Sequence, residues 1–162
     1  MIKLDSCSAI YALKMDFTGV ISKLYGDVVV TKAVHDEVIT KGKRKGKAEA
    51  YICEKMIKAG TIIVHESPTN LPVLGLGPGE TETIQNTIDH KCLCMIDDKK
   101  GRRVATSMNL EPRNISITML AALKNKIITG AEFDGYYSKW VKHALPSPED
   151  INFVRQVKSL VE

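Results

Sequence analysis

Short apolar runs alternate along this chain with longer segments whose apolar residues have helical spacing. Four runs have the length of a β-strand, and they cover residues 2–4, 27–30, 61–64 and 92–96. Each is followed by a segment with the three-to-four-residue period of an amphipathic helix. Continuous apolar strands that alternate with helices are typical of a parallel sheet covered on both faces.

The pattern therefore predicts an α/β fold, a three-layer α/β/α sandwich with a parallel sheet of four or five strands. Ser8 is expected to cap the first helix, residues 44–59 to form a single helix, and residues 66–79 to form a loop rich in Pro and Gly. We expect residues 1–128 to form this domain and residues 129–162 to form a C-terminal helical extension packed on it.

Acidic residues stand where the strands of this predicted sheet end. Asp5 follows the first strand, and Asp97 and Asp98 follow the fourth. Glu37 and Glu80 fall early in helices that lie between them in the sequence. Because ligands of open parallel sheets bind outside the carboxyl ends of the strands, these acids are expected to converge at one edge. Taken singly, each also has an ordinary explanation as a cap, a turn residue or a surface acid.

Several carboxylates packed together repel one another, and a hard divalent cation removes that cost. Mg²⁺ and Mn²⁺ prefer oxygen ligands and retain several waters, so a few carboxylates suffice to bind them. Such a site suits hydrolysis of a phosphodiester, because the metal polarises the phosphoryl oxygen and activates a bound water. The four histidines show neither metal-ligand spacing nor a recognisable catalytic triad.

Composition changes this picture little, since 44% hydrophobic and 26% charged residues are ordinary values for a globular domain. The net charge of +4 permits an anionic partner without requiring one. The apolar runs are far shorter than the roughly 20 residues of a membrane helix. With no signal-peptide pattern at the start, we expect a cytoplasmic protein that does not contact a membrane.

Four segments of the chain resemble the motifs of PIN-domain proteins. Residues 2–10 (IKLDSCSAI) resemble the family's first strand with its terminal Asp, and residues 28–38 (VVVTKAVHDEV) resemble the helix that carries its Glu. Residues 76–84 (LGPGETETI) and 94–105 (CMIDDKKGRRVA) resemble the Gly-Glu-x-Glu and Asp-Asp-x-x-Gly-Arg motifs of the VapC-like toxin ribonucleases. Together these segments span most of residues 2–125.

The resemblance implies a small nuclease that binds Mg²⁺ or Mn²⁺ and cuts RNA. It also implies a toxin that is held inactive by an antitoxin protein and forms a homodimer. The acidic quartet carried over by motif is Asp5, Glu37, Glu80 and Asp97. Asp98 is an additional metal ligand or a replacement for Asp97, and Glu82 is an alternative to Glu80.

Basic residues lie close to the proposed acids. The segment 41–47 is Lys or Arg except at two glycines, and Lys43 and Arg44 are expected to contact the RNA backbone. Arg102 and Arg103 follow the Asp97–Asp98 pair and are expected to bind phosphate. The competing explanation is a solvated surface, which most charge runs are.

Two other functions remain open at this point. One is a catalytically inactive PIN-fold module that binds RNA or assembles with a partner, since Cys7 stands where the family often has a small hydroxyl residue. The other, weaker alternative is a metal-dependent phosphatase that acts on small phosphoesters.

Overall fold

The computed structural model describes residues 1–66 and 74–161, so residues 67–73 of the predicted 66–79 loop lie outside the described residues. Its sheet has four parallel strands in the order β3-β2-β1-β4, and Arg113 adds a single bridge beside β4. The strands are β1 (Ile2–Leu4), β2 (Val28–Thr31), β3 (Ile62–His65) and β4 (Leu93–Met95). The predicted α/β sandwich is confirmed.

Helices connect the strands and cover the sheet. Those before β4 are α1 (Ser6–Met15), α2 (Thr18–Tyr25), α3 (Lys32–His35), a π-helical turn (Asp36–Thr40), α4 (Lys41–Arg44), α5 (Ala48–Lys58) and α6 (Pro78–His90). Those after it are α7 (Lys99–Ser107), α8 (Ile115–Lys124), α9 (Gly130–Ala144) and α10 (Pro148–Val161). Within residues 1–66 and 74–161, none of the helices has the length and apolarity that a membrane crossing requires.

The strands are apolar throughout because both faces of the sheet are buried. On one face Ile2 and Leu4 of β1 join a large core with helices that include α1, α8 and α9. On the other face Cys94 and Ile96 pack with Ile84 of α6 in a smaller cluster. Alternate residues of the same strands thus hold two helical layers together.

Three local expectations were wrong or incomplete. Asp5, not Ser8, is the N-cap of α1, because its carboxylate accepts the N–H of Ser8 from inside the first turn. The single helix expected over 44–59 is interrupted, since Gly46 has a φ of +64° between α4 and α5. Helix α2 did not stand out in the apolar pattern.

Lys3 of β1 is fully buried on the α6 side of the sheet. Its ammonium donates to Nδ1 of His65 and Nδ1 of His90, both at 2.8 Å, and to the side-chain oxygen of Asn86. An ammonium has three donors and no acceptor, so these partners satisfy it completely. Burial nevertheless lowers the pKa of Lys3, and the electrostatic effects of Cys92 and Asp89 only partly oppose this.

The last two helices pack on the same core as the first four-fifths of the chain. Phe133 and Trp140 of α9 and Val154 of α10 are buried, and the two helices contact α1 and α8. A capping box between Thr129 and Glu132 fixes the start of α9. The described part of the C-terminal extension (residues 129–161) therefore packs on the same core as α1 and α8.

Candidate active site

The order of the sheet reverses between β1 and the edge strand β4. Leu4 pairs with Met95, and the N–H of Asp5 donates to the carbonyl of Met95 at 3.1 Å. From this point β2 and β3 extend to one side and β4 to the other. Parallel sheets bind ligands in the crevice at such a switch point, and Asp5 and Asp97 both stand there.

Ser8 connects these two carboxylates. Its backbone N–H donates to Oδ1 of Asp5 at 2.7 Å, and its hydroxyl donates to Oδ2 of Asp97 at 2.8 Å. The N–H of Ile115, at the start of α8, donates to Oδ1 of Asp97 at 3.2 Å. Two helix N-termini thus orient the two acids, as expected for carboxylates at the positive end of a helix.

Burial dominates the electrostatics of this pair. It raises the pKa of Asp5 to about 7, opposed by the Ser8 hydrogen bonds and reinforced by the charges of Asp97 and Glu80. It also raises the pKa of Asp97 to about 6 against the hydrogen bonds from Ser8 and Ile115. Oδ2 of Asp5 is buried and has no hydrogen-bond partner among residues 1–66 and 74–161.

Cys7 lies among four carboxylates. The pKa of its thiol is raised to about 12, mainly by burial and in part by the negative charges of nearby acids. These acids are Asp5, Glu80, Asp97 and Asp98. The thiol is therefore protonated at neutral pH and is not a nucleophile. Its surroundings show that Glu80, from the first turn of α6, contributes to the same negative region as the acids that follow β1 and β4.

Hydrogen bonds from two neighbouring residues hold the carboxylate of Glu37 in place. Ser6 donates its hydroxyl to Oε2 of Glu37, and the N–H of Gly79 donates to Oε1 at 3.2 Å. A Cβ at position 79 would lie only 2.6 Å from Oε2 of Glu37 and 2.7 Å from Oγ of Ser6. Glycine at this position is thus required for the close approach of α6 to Glu37, which lies in the π-helical turn.

The two alternative acids have different surroundings. Glu82 is buried, and its Oε2 accepts the N–H of Ala33 at 2.8 Å, so it caps the start of α3. Asp98 is the N-cap of α7, and its Oδ2 accepts the N–H of Gly101 at 2.7 Å. Each of these carboxylates accepts a backbone N–H, as Asp5 and Asp97 also do. Asp5 differs in that its second oxygen, Oδ2, is buried without a partner in the described part of the chain.

The predicted RNA-binding residues divide into two groups. Arg102 donates Nη1 to the carbonyls of Ile96 at 3.1 Å and Asp97 at 2.6 Å, which fixes its guanidinium beside the acids. Arg103 is exposed on α7. Lys43 instead pairs with Glu54 of α5 at 2.7 Å, and Arg44 is exposed nearby.

Sequence reasoning missed other cations around the acids. Lys41, Lys45 and Lys47 line a cavity of about 190 Å³ that also includes Glu37, whereas the predicted Lys43 and Arg44 are not part of its lining. On the opposite side, Lys99 lines a cavity with Asp97. The charge of these segments was visible in the sequence, but their side-chain positions were not.

The donor set fits a hard divalent cation. The ligands offered are carboxylate oxygens, and the one on Asp5 is buried and unpartnered. In the parts of the chain that the structure describes, no three or more His, Cys, Asp or Glu side chains form a ready-made metal cage. Mg²⁺ does not need one, because it is usually held by one or two carboxylates and keeps several waters.

A known protein family matches most of this chain. The family model DUF3368, described as a PIN domain, matches residues 2–134. The chain belongs to the PIN domain family. PIN domains are generally nucleases, they act on nucleic acids, and they commonly use divalent metal ions. The match ends within α9, so the rest of the C-terminal extension lies outside the PIN model.

The fold has a counterpart among solved structures. A PilT N-terminus domain protein from the hyperthermophilic archaeon Sulfolobus solfataricus P2 is similar with a TM-score of 0.54. The likeness covers 76% of this chain and 94% of that chain at 20% sequence identity, and it concerns the fold alone. No protein with a curated description matches this chain significantly.

Proposed function

We propose that this PIN-domain protein is a metal-dependent endoribonuclease that hydrolyses RNA phosphodiester bonds. The observation that carries the proposal is the pair of acids at the switch point of the sheet, of which Asp5 is buried and Asp97 half-buried. Asp5 and Asp97 share Ser8 as a hydrogen-bond donor, and one oxygen of Asp5 has no partner in the described chain. Two desolvated carboxylates held together in this way are unfavourable unless a cation or protons neutralise them.

Asp5 and Asp97 would hold Mg²⁺ or Mn²⁺, with Glu80, Glu37 and Asp98 as further oxygen donors directly or through water. The metal, when bound, would polarise a phosphoryl oxygen and lower the pKa of a bound water. Ser8 would keep the two carboxylates in a fixed orientation. Arg102, held by two backbone carbonyls, would present its remaining donors to the phosphate.

The toxin role rests on the resemblance of residues 76–84 and 94–105 to the VapC-like motifs. Under this proposal an antitoxin protein inhibits the enzyme, and the active form is a homodimer. Induced expression is expected to arrest growth, and the Asp5→Asn variant is expected not to. Light scattering on the purified protein measures its oligomeric state, and a monomer at working concentrations would contradict the dimer.

The decisive test is Mn²⁺-dependent cleavage of a mixed-sequence RNA by the parent protein and by Asp5→Asn. A matched control is Asp134→Asn, because Asp134 is an exposed acid of α9 that pairs with Lys158 outside the acidic site. We expect cleavage by the parent and the control, and at least a roughly 100-fold loss for Asp5→Asn. If the parent binds RNA but none of the three proteins cleaves it, the protein is an inactive RNA-binding module.

A further inference from the structure

A second feature lies directly beside the acids. A cavity of about 310 Å³ extends from Asp97 to the C-terminal extension, and Tyr11 and Asn114 form part of its wall. This volume is near the lower end of the roughly 300–1,000 Å³ of small-ligand pockets, so it has room for about one nucleoside. We call this cavity the C-terminal cleft.

Much of the far wall of this cleft belongs to residues outside the PIN model. Ala144, Leu145 and Asp150 line it, and all three lie beyond residue 134. Lys99 of α7 and Asp150 of α10 form an ion pair of 3.6 Å that joins the two sides. Without the extension, Asp97 and Lys99 would face open solvent on this side, so the cleft exists only because the extension is present.

The cleft continues into a basic groove. Lys99 and Arg102 line both the cleft and a neighbouring cavity of about 690 Å³, which Arg103 and Arg113 also line. Glu111 contributes the opposing charge there, and it is mostly exposed and pairs with Arg113 at 3.7 Å. The groove thus offers several cations that start next to Asp97, as a phosphate backbone requires.

We propose that the C-terminal cleft holds one unpaired nucleoside next to the scissile phosphate of a single-stranded RNA, while the adjoining phosphates lie along α7. The proposal rests on the nuclease function proposed above and adds to it a nucleoside-binding site that the C-terminal extension helps to form. A cleft of about 310 Å³ accommodates a base that has been turned out of a strand, whereas a base pair does not fit. Polar groups such as the Asn114 side-chain amide can then contact base edges, and the cations bind the backbone without reading sequence.

The fluorescence of a tryptophan in the cleft can report RNA binding. Trp140 is the only tryptophan, and it lines the cleft although most of its surface is buried. Titration of the protein with a single-stranded RNA ten-mer in EDTA prevents cleavage and isolates binding. We expect a saturable change in tryptophan emission with the single strand. We also expect at least roughly tenfold weaker binding of the same RNA annealed to its complement.

Substitutions locate the binding surface. Ala144→Phe fills the cleft and is expected to weaken RNA binding about tenfold in an anisotropy titration with labelled RNA. Ala131→Phe, on the exposed start of the same helix, is the control and is expected to leave the affinity unchanged. Arg103→Ala is expected to weaken binding several-fold and to reduce the salt dependence by about one unit. Lys55→Ala removes an exposed helical cation of α5 and serves as its control.

The two proposals fail differently. Loss of cleavage in Asp5→Asn together with unchanged RNA binding by Ala144→Phe would support the nuclease function and contradict RNA binding in the C-terminal cleft. Equal affinity for single strand and duplex, or emission of Trp140 that does not respond to RNA, would also overturn it. Cleft-dependent binding of the single strand without any Mn²⁺-dependent cleavage would support the cleft and overturn the nuclease. Circular dichroism of each variant checks that the fold is retained.

Discussion

The hydroxyl of Ser8 donates a 2.8 Å hydrogen bond to Asp97, which lies 89 residues further along the chain. The backbone N–H of the same serine donates to Asp5 at 2.7 Å. One residue in the first turn of α1 therefore orients an acid from each of the two strands that meet at the switch point of the sheet. A substitution of Ser8 therefore tests how the acids are positioned without removing a proposed metal ligand.

Ser8→Ala is expected to weaken Mn²⁺ binding by roughly tenfold or more, because it removes a hydrogen bond that orients a ligand. The backbone donor to Asp5 remains, so the fold is retained. Isothermal titration with Mn²⁺ measures the change. Ser138→Ala is the matched control, since the Ser138 hydroxyl only bonds to a carbonyl within α9. Equal affinities for the two variants would show that Ser8 does not position the ligand.

Asp5→Asn is expected to stabilise the metal-free protein at pH 8. Burial raises the pKa of Asp5 from 3.8 to about 7, so the folded state binds this proton more tightly than the unfolded state. The resulting stability is present below about pH 4 and is lost as the pH rises towards 7. The variant avoids that loss, which is worth up to about 4 kcal/mol for a shift of this size.

Thermal unfolding in EDTA at pH 5 and pH 8 measures this effect. At pH 8 the Asn variant should unfold at the higher temperature, by roughly 5 °C or more, since 1 kcal/mol shifts the midpoint by about 2–4 °C in a chain of this size. At pH 5 the difference should shrink. Added Mn²⁺ should raise the midpoint of the parent more than that of the variant. A parent that is more stable than the variant at pH 8 in EDTA would contradict the assignment.

Glu80 and Glu82 are expected to respond differently to the same substitution. Glu80→Gln removes a charge from the acidic region around Cys7, and cleavage should fall by about 100-fold. Glu82→Gln keeps an oxygen that can accept the N–H of Ala33, so cleavage and stability should both stay close to those of the parent. Initial rates with saturating Mn²⁺ compare the two, and a greater loss for Glu82→Gln would reverse the roles.

Gly79→Ala is expected to disrupt the site through sterics alone. The added methyl group would lie 2.6 Å from Oε2 of Glu37 and must push that carboxylate away. We expect at least a tenfold loss of cleavage and a cost of about 1–3 kcal/mol in unfolding free energy. Gly135→Ala is the control, because no described atom lies within 4 Å of its Cβ position in α9. There the substitution should stabilise the helix by about 0.5–1 kcal/mol.

Much of the fold was predictable because strands buried on both faces must be apolar without interruption. The run 27–30 therefore predicted β2 (Val28–Thr31), and the acids that end such runs predicted the edge where Asp5 and Asp97 lie. The break between α4 and α5 was less visible. Gly46 gave a signal there, but it stands in a charged segment that is also compatible with a continuous helix.

The finer parts of the candidate site depend on contacts between distant residues. Neither the spacing nor the type of Ser8 indicates that its hydroxyl bonds to Asp97, because that contact exists only after β1 and β4 pair. The same holds for the C-terminal cleft, where Lys99 meets Asp150 across two helices. The residue types predicted a site of carboxylates and cations. Which of these residues contact one another was determined by the pairing of the strands and the packing of the helices.

The buried ammonium of Lys3 restricts the register in which β1 can pair with its neighbouring strands. Its neighbours Ile2 and Leu4 point into the large apolar core, and Lys3 points to the acceptors on β3 and α6. A shift of β1 by one residue would place the charge in the apolar core and two aliphatic side chains against the imidazoles. A misaligned sheet would therefore contain an unpaired buried charge, which typically costs several kcal/mol. Lys3 thus excludes alternative folded states by penalising them.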